Sequence, residues 1–472
     1  MNPNPWCDRF KTLLDRSAIK QRATVAAVRL ANLSGESPER AKDLLRAALE
    51  AVHVVTDQEL DVLQRLVNRA YAYVQSAYPN MDTFASRIQA ERIELDVAPP
   101  ICLTGLAGTG KSALLGALAR ALPSDEVISL GKPFTTPFEL NALKTVSVKS
   151  MDSLSQILNP FLPLDCQPRN EVGADGTPHL VHPKIPNGLR TELATRRSYA
   201  FGHATHVLEE LQFLTGSQGA NTKVVQALMT MSYLQTPLIY AANYSLCHRL
   251  LKRPQEERDR LLADLTILLP EMPGSEGLLA LLSAYQVVMQ DILSFELKDE
   301  VVEIYNMTAG IKRKIKQLIV AGYEQFRISK DEKMTMSNLR EGYRSRNYSA
   351  MRKDVTAILE QAMARKMARG RHDLWCPFDA DVNNLQAMAQ AANDQASRET
   401  GKRIQEEALG AAQRTALALA RSAMAKDKNE ESKGGKVVSL ATGSRSPKTL
   451  DAKTLLAETL APRKPRKDEA EV

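Results

Sequence analysis

The amino-acid sequence predicts an α/β protein with a parallel sheet, preceded and followed by helical regions. Short apolar segments alternate with helical ones between residues 101 and 270, which is typical of a parallel sheet. The first apolar segment ends in a glycine-rich loop at 105–112, directly before a helix. Outside this region, apolar residues recur at the three- and four-residue spacing of amphipathic helices.

The composition is that of a globular chain in water. Of the 472 residues, 44% are hydrophobic and 25% are charged, and the length suggests two to four domains. No run approaches the roughly 18 apolar residues of a membrane span, and residues 1–17 lack a signal-peptide pattern, so we expect a cytoplasmic protein with no membrane partner. The five cysteines are widely spaced and form no CxxC motif, which predicts reduced thiols.

Residues 1–95 are predicted to form an N-terminal helical region. Ser37 precedes a segment with helical apolar spacing, and it is a candidate start of a helix. Thr56, followed three residues later by Glu59, predicts a capping box at the start of a longer helix. Two or three helices in this region would form a small bundle.

Apolar segments that end in polar or turn residues predict five strands, at 101–105, 143–150, 204–210, 236–243 and 264–270. Helices are predicted at 112–122 and 151–162. Residues 160–188 hold six prolines and three glycines, and are predicted to be mostly loop. Residues 96–272 are therefore interpreted as the core of the protein.

Helical segments return after Pro273, first at 277–293 and then at 299–327. We divide the remainder into a helical lid at 273–330, a helical extension at 331–425 and a disordered basic tail at 426–472. The tail is rich in Lys, Ser, Gly and Glu and has almost no aromatic residue, so it cannot bury a core. The Trp375–Phe378 segment interrupts the extension.

Residues 105–112 read GLAGTGKS and match the P-loop pattern GxxxxGK[ST] without a mismatch. In this pattern, backbone N–H groups of the loop and the helix start surround the phosphates. Lys111 is predicted to reach the β and γ phosphates, and the Ser112 hydroxyl to bind Mg²⁺. The residues predicted to bind ATP are Gly105, Leu106, Ala107, Gly108, Thr109, Gly110, Lys111, Ser112 and Ala113.

Hydrolysis requires an acid on Mg²⁺ and a group that orients the attacking water. Glu209 and Glu210 end the strand predicted at 204–210, and we predict that Glu209 holds Mg²⁺ through water while Glu210 polarises the nucleophile. The alternative is a pair of solvated glutamates at a helix start. Asn243 ends the next strand and is predicted to hold the same water, or else to form a turn.

Two arginines are candidates for contacts to the γ-phosphate. Arg260 lies between a helix and a strand, and in a ring or filament it would reach a neighbour's nucleotide as an arginine finger. Arg313 opens a predicted lid helix and would contact the phosphate within its own chain. The alternatives are a surface arginine at position 260 and, at 313, part of a basic helix face.

The order of these motifs resembles AAA+ ATPases of the TnsC/TniB type, regulators of DNA transposition related to MuB and the IstB helpers. The resemblance covers residues 85–325 and rests on five runs: GLAGTGKS, HVLEELQFL, LIYAAN, RDRLLADLTILLP and TAGIKR. EELQ resembles the acidic pair plus Gln of the family, and TAGIKR its second sensor. The family usually has Asp where this chain has Glu209, which puts the metal geometry and the turnover rate in question.

The resemblance implies an ATP-dependent homo-oligomer, a ring or helical filament, on double-stranded DNA. It also implies a transposase partner, and a target-selection protein as a further one. By the same resemblance, the loops that follow the early strands line the inner surface of the filament, where Lys144 and Lys149 are candidate phosphate contacts. The alternative for both is an exposed lysine at a strand end.

The charge pattern is consistent with a nucleic-acid partner. The net charge is +7, and residues 301–372 contain 16 Lys/Arg and 7 Asp/Glu, a local net charge of +9. Solvated helix faces are the alternative. Two rival functions remain open: another DNA-associated AAA+ ATPase, such as a helicase loader or remodeller, and a nucleotide-controlled signalling scaffold with no DNA role.

Overall fold

The structure is a computed structural model, and it describes residues 4–31, 33–124, 126–129, 137–149, 153–163, 166–167, 169–172, 178–181, 185–211, 220–378 and 382–408. The residues up to Ala392 form one compact unit, and Asn393 begins a second. The predicted tail at 426–472 and Gln212 of the EELQ run lie outside the described residues. No helix of the described part is both long and apolar enough to cross a lipid bilayer.

The helices are α1 (Pro5–Asp8), α2 (Arg16–Ala23), α3 (Pro38–Ala51), α4 (Asp57–Ala77), α5 (Met81–Gln89), α6 (Lys111–Ala121), α7 (Leu154–Leu158), α8 (Asn187–Ala200), α9 (Ala220–Ser232), α10 (Tyr244–Leu250), α11 (Gln255–Leu261), α12 (Glu276–Val288), α13 (Val301–Thr308), α14 (Lys312–Ser329), α15 (Met336–Arg344), α16 (Ser349–Ala364) and α17 (Val382–Ala408). The strands are β1 (Ile101–Thr104), β2 (Glu126–Ile128), β3 (Phe138–Leu140), β4 (Leu143–Ser147), β5 (Arg169–Val172), β6 (Pro178–Val181), β7 (Thr205–Glu209), β8 (Leu238–Ala241) and β9 (Asp264–Ile267).

The predicted α/β class with a parallel sheet is confirmed. Within the described residues, the sheet has five strands in the order β4-β7-β8-β1-β9, and every neighbouring pair is parallel. All five predicted strands are in it. Because β1 lies between β8 and β9, the loop after β1 leaves an interior strand of the sheet. The carboxyl ends of the other strands lie along the same edge, which is where ligands bind in open α/β sheets.

The N-terminal helices share a core with the sheet. Residues of α2 and α4 pack with β1 and β7, and stacked aromatic rings extend this core, with 4.7 Å between the ring centroids of Tyr78 and Tyr199. The capping box is confirmed: the Glu59 N–H donates to the Thr56 hydroxyl at 3.4 Å, and the Thr56 N–H donates to Glu59 Oε2 at 3.3 Å. This cap fixes the start of α4 beside the sheet edge.

The helical segment predicted at 299–327 is two helices, α13 and α14. The chain reverses between them because Ala309 and Gly310 take left-handed φ values of 52° and 66°. A Cβ on Gly310 would lie 2.0 Å from the carbonyl oxygen of Glu271, so only glycine fits this contact. A tertiary contact therefore ends α13. The spacing of apolar residues on either side of Gly310 gives no sign of this break, so the sequence predicted one helix.

The predicted loop at 160–188 contains an antiparallel hairpin of β5 and β6, with Arg169 opposite Val181. Pro178 is the first residue of β6, a position where a strand tolerates the missing N–H. A second hairpin, β2 with β3, was not predicted either. Both hairpins have strands of only three or four residues, too short for a clear alternation of apolar and polar residues.

Candidate functional site

The loop between β1 and α6 needs glycine because other segments press against it. A Cβ on Gly105 would lie 2.3 Å from the Leu268 carbonyl oxygen, and one on Gly108, where φ is 90°, would lie 2.7 Å from Arg313 Cβ. The residue that follows β9 and the start of α14 thus contact the loop from two sides. A glycine-rich loop that leads into the start of α6 is a suitable anion site.

Lys111 is held inside this loop. Its Nζ donates to the carbonyl oxygens of Gly105 and Leu106, each at 2.9 Å. Burial, with the nearby charge of Arg313, lowers the pKa of Lys111 to about 8. The ammonium group is thus an electrostatically strained cation, and an anion in the loop would stabilise its charged form.

Ser112 and Glu209 form a pair suited to a hard cation. Burial raises the pKa of the Glu209 carboxyl, while a hydrogen bond with the Ser112 side chain opposes the shift. Glu209 Oε1 is buried and has no hydrogen-bond partner within the described structure. A hydroxyl group next to a carboxylate oxygen that has no other partner provides oxygen ligands of the kind that bind Mg²⁺. These residues therefore fit the predicted metal ion.

Glu210 directly follows β7 and takes a left-handed φ of 61°, which is uncommon for a residue other than glycine. This conformation directs the chain away from β7 at the sheet edge, and Glu210 lines the cavity above the loop. Its charge partly counteracts the lowered pKa of Lys111. Strained backbone of this kind is concentrated at functional sites.

Asn243 lines the same cavity and also caps a helix. Its Oδ1 accepts the Leu246 N–H at 2.8 Å, which fixes the start of α10. Both predicted interpretations, a polar group at the site and a turn-forming asparagine, are therefore compatible with its position. The cap holds the side chain at the carboxyl end of β8.

Arg313 lies on the loop through its backbone, because its N–H donates to the Gly108 carbonyl at 3.1 Å. Its side chain lines the cavity. Arg260 lies outside this cavity on α11, where its guanidinium stacks on Tyr233, 4.7 Å from the ring centroid, and donates to the tyrosine hydroxyl at 3.1 Å. The structure thus brings Arg313, but not Arg260, to the site of the same chain.

The two lysines predicted to contact DNA lie at different ends of β4. Lys144 is half-buried opposite His206, and burial lowers its pKa, with Arg197 adding to the effect. Lys149 is exposed beyond the carboxyl end of the strand. Five residues of extended chain separate the two by roughly 16 Å. Only Lys149 lies on the edge that carries the loop.

The cavity above the loop has a volume of about 460 Å³. Its phosphate end is lined by Ala107, Gly108 and residues 110–113, together with Glu210, Asn243 and Arg313. Gly105, Leu106 and Thr109 were also predicted to bind ATP but do not line the cavity. The apolar side chains of Val52, Val54, Leu281 and Tyr285, with His53, form its other end. Glu50, Lys312 and Lys316 also line the cavity, and the sequence identified none of these eight residues as part of the site. No local motif marks these residues, since they come from the end of α3, the segment after it, α12 and α14.

His53 is a histidine of the cavity wall, beside the apolar side chains. Burial, with Lys312, Arg120 and Lys316 nearby, lowers the pKa of its imidazole to about 4. Its backbone pairs with Val25 through two hydrogen bonds, so an N-terminal segment supports this wall. The ring is therefore neutral near pH 7.

Comparison with known proteins finds similar solved structures, but with low sequence identity and low TM-scores. No protein-family model and no curated protein matches the chain. Among solved structures, ORC1 of Aeropyrum pernix in complex with DNA is 13% identical, with 67% of this chain and 82% of that chain covered and a TM-score of 0.34. The RuvB Holliday junction branch migration motor of Thermotoga maritima is 13% identical, with coverages of 68% and 87% and a TM-score of 0.31. A structure of katanin from work on its self-assembly is 14% identical, with coverages of 60% and 81% and a TM-score of 0.34. TM-scores below 0.5 support no conclusion about function.

Proposed function

We propose that this chain is a Mg²⁺-dependent ATPase of the AAA+ class. The observation that carries the proposal is the meeting of Lys111, Ser112 and Glu209 at the carboxyl edge of a parallel sheet. A triphosphate in the loop would draw the Lys111 ammonium from the carbonyls of Gly105 and Leu106. The gain is large because the cation is buried and its pKa is already lowered to about 8.

The Ser112 hydroxyl and Glu209 would hold Mg²⁺, Glu209 through water. When bound, the ion neutralises charge on the phosphate oxygens. Glu210 is proposed to accept a proton from a water molecule as that water attacks the γ-phosphorus. ADP then leaves with the electrons of the broken P–O bond. Asn243 would orient the water, and Arg313 would stabilise charge on the γ-phosphate.

The apolar end of the cavity is proposed to hold the nucleoside. Val52 and Val54 come from the segment after α3, and Leu281 and Tyr285 from α12. These side chains supply apolar surface for a flat aromatic base. Binding the nucleotide would therefore join the N-terminal region to the helices that follow the sheet.

The hydrolysis assignment is tested with Glu210→Gln. The variant keeps the size of the side chain but cannot act as a base, so we expect ATP affinity near that of wild type and turnover lower by about 100-fold or more. Phosphate release is measured with Mg²⁺ and with a chelator. Turnover equal to that of wild type would show that another group activates the water.

We further propose that the protein assembles on duplex DNA and regulates transposition together with a transposase and a target-selection protein. Arg260 lies outside the cavity of its own chain, so a contact between Arg260 and a γ-phosphate would require a neighbour's nucleotide and hence an assembly. Mixing Arg260→Ala with Lys111→Ala subunits tests this: a shared site restores part of the ATPase activity. Co-assembly without any recovery at every mixing ratio would contradict it.

The basic stretch at 301–372 supports a polyanion partner only in part. Within the described structure, five of its cations form ion pairs: Lys312, Lys314, Lys316, Arg340 and Arg371. Arg344, Arg346 and Lys353 are among those that remain exposed, around the turn between α15 and α16. The surface open to DNA is therefore smaller than the sequence count indicates.

Electron microscopy with duplex DNA tests the assembly. We expect ATP, or a slowly hydrolysed analogue, to produce ordered filaments or rings on DNA, and ADP to produce few. Assemblies without DNA dependence would favour the scaffold. Assemblies that form on DNA but fail to stimulate a transposase would favour a helicase loader or remodeller.

A further inference from the structure

Lys312, the first residue of α14, lies between two buried carboxylates in the wall of the cavity. Its Nζ is 2.8 Å from Glu59 Oε1 and 4.0 Å from Glu271 Oε1. The side chains of Lys312, Glu59 and Glu271 are 11%, 0% and 10% exposed. One ammonium thus faces two largely buried carboxylates, and the formal charge of the three side chains is −1.

This cluster touches the P-loop. A Cβ on Gly110 would lie 3.4 Å from Glu59 Oε1 and 4.0 Å from Lys312 Nζ. Glu59 belongs to the capping box of α4, so its position is fixed from the N-terminal side. The next residue of α14, Arg313, is bonded to the Gly108 carbonyl through its N–H. Three separate parts of the chain, α4, the loop and α14, therefore meet at Lys312.

The Lys312 ammonium can donate more hydrogen bonds than its neighbours accept. Despite the short charge contact, neither Lys312 Nζ nor Glu59 Oε1 has an aligned hydrogen-bond partner within the described residues. A lysine ammonium has three N–H donors, and buried donors are rarely left unfilled. Because Lys312 also lines the cavity, an acceptor bound in the cavity can complete its hydrogen bonds. A phosphate oxygen in the loop has the matching charge and number of lone pairs.

We propose that Lys312 is a second phosphate-binding cation of the nucleotide site and that Glu59 is the positioning residue that holds it there. This inference rests on the proposed ATPase function and deepens it. Phosphate in the loop completes the hydrogen bonds of Lys312, while Glu59 keeps the ammonium at the loop. Nucleotide diphosphates and triphosphates would thereby tie α4 to α14, and a nucleoside monophosphate, which does not reach the β-phosphate position, would not.

A purely structural role predicts something different. If the ion pair only joins α4 to α14, its loss lowers the stability of the empty protein and weakens all adenine nucleotides equally. If Lys312 binds phosphate, its loss weakens ADP and ATP but leaves AMP almost unchanged. The ratio of ADP to AMP affinity therefore separates the two roles.

The experiment uses Glu59→Gln, Lys312→Met and the double variant, with AMP, ADP and ATP titrated by calorimetry and the melting temperature measured. Glu59→Gln leaves Lys312 only the 4.0 Å contact with Glu271, and Lys312→Met leaves both carboxylates without their cation, so we expect both variants to melt lower than wild type. The double variant keeps the net charge of −1 through Glu271 and is expected to recover at least half of that loss. Nucleotide affinities can therefore be measured on the double variant even if the single variants fold poorly.

Lys314→Met is the matched control. Lys314 is on the same helix, is also buried, and contacts Asp354 at 3.3 Å, but it does not line the cavity. Its removal leaves Asp354 paired with Arg371 at 2.7 Å, so no carboxylate loses its only partner. We expect this control to bind AMP and ADP like wild type.

For the double variant we expect ADP affinity to fall about 10- to 100-fold, because that is the loss in affinity when one hydrogen bond to a charged group is removed. AMP affinity should stay within about 2-fold of wild type. Equal losses for AMP and ADP, or wild-type ADP affinity, would overturn the role of Lys312. Where wild type binds ADP and Lys111→Ala does not, such a result refutes this inference alone. If wild type binds no nucleotide, the proposed function fails as well.

Discussion

The two ends of the nucleotide cavity are built in different ways. The phosphate end comes largely from one short segment, in which Ala107, Gly108 and residues 110–113 line the cavity. The apolar end combines residues 52–54 with Leu281 and Tyr285, which are more than 200 positions apart. Both ends line one cavity of about 460 Å³.

The difference shows which chemistry can be read from a sequence. A phosphate is bound by backbone N–H groups and one helix start, so a short run of residues suffices and the pattern is recognisable. A base is bound by apolar area, which any neighbouring side chain can supply. The first end is therefore sensitive to single atoms of the loop, and the second to the packing of distant segments.

Among substitutions that leave the Lys111 ammonium in place, the largest effect on nucleotide affinity is expected at the phosphate end, from Gly108→Ala. Its Cβ would lie 2.7 Å from Arg313 Cβ at a φ of 90°, so the loop and α14 must separate. A displacement of about 1 Å at a reacting group costs roughly 100-fold, and we expect a similar loss in ATP affinity. Fluorescent nucleotide titration measures it.

Gly116→Ala is the control for that substitution. Gly116 is inside α6, and a Cβ there would meet its nearest neighbour, Arg120 Nη1, at an ordinary 3.7 Å. Alanine favours the helix by about 1 kcal/mol, so affinity should be unchanged and stability slightly higher. An equal effect of the two alanines would show that the loop tolerates a side chain at position 108.

A smaller effect is expected at the apolar end, from His53→Gln. Burial lowers the pKa of His53 to about 4, so the unfolded chain binds a proton below about pH 6.5 while the folded protein does not. Stability is thus full above pH 6.5 and is lost as the pH falls toward 4. Between pH 7 and pH 5, the protonation of His53 in the unfolded chain lowers the free energy of unfolding by about 2 kcal/mol, and the variant does not show this decrease. Urea unfolding at both pH values measures the difference. Equal losses in the two proteins would mean that His53 is protonated in the fold.

Much of the fold was predictable because its signals are local. The Thr56–Glu59 box and the five strands depend on residues close together in the chain, and each was predicted. The break at Gly310 was not, because it depends on the carbonyl of Glu271, nearly forty residues earlier. The buried role of Lys312 was hidden for the same reason: in the sequence it is one of several cations in a basic run, and Glu59 is over 250 residues away.

The smallest effect is expected outside the cavity, for Lys149→Ala. Lys149 is exposed on the loop edge of the sheet, whereas Lys144 is half-buried at the far end of β4. If Lys149 contacts one phosphate, its loss lowers the slope of log K against log salt by about 0.9 per contact and leaves ATP binding without DNA intact. Lys144→Ala is the comparison and should change the slope less. An unchanged slope for Lys149→Ala would move the DNA surface to the exposed cations around Arg346.

The central claim, that the loop at 105–112 binds nucleotide phosphate, is tested most directly by titrating ATP and ADP into wild type and Lys111→Ala with Mg²⁺ present. The account predicts a saturable site in wild type, and no measurable binding in the variant, because the buried ammonium beside Gly105 and Leu106 is gone. Circular dichroism confirms that the variant is folded. Equal affinity in the two proteins would contradict the account, as would a wild-type protein that binds neither nucleotide.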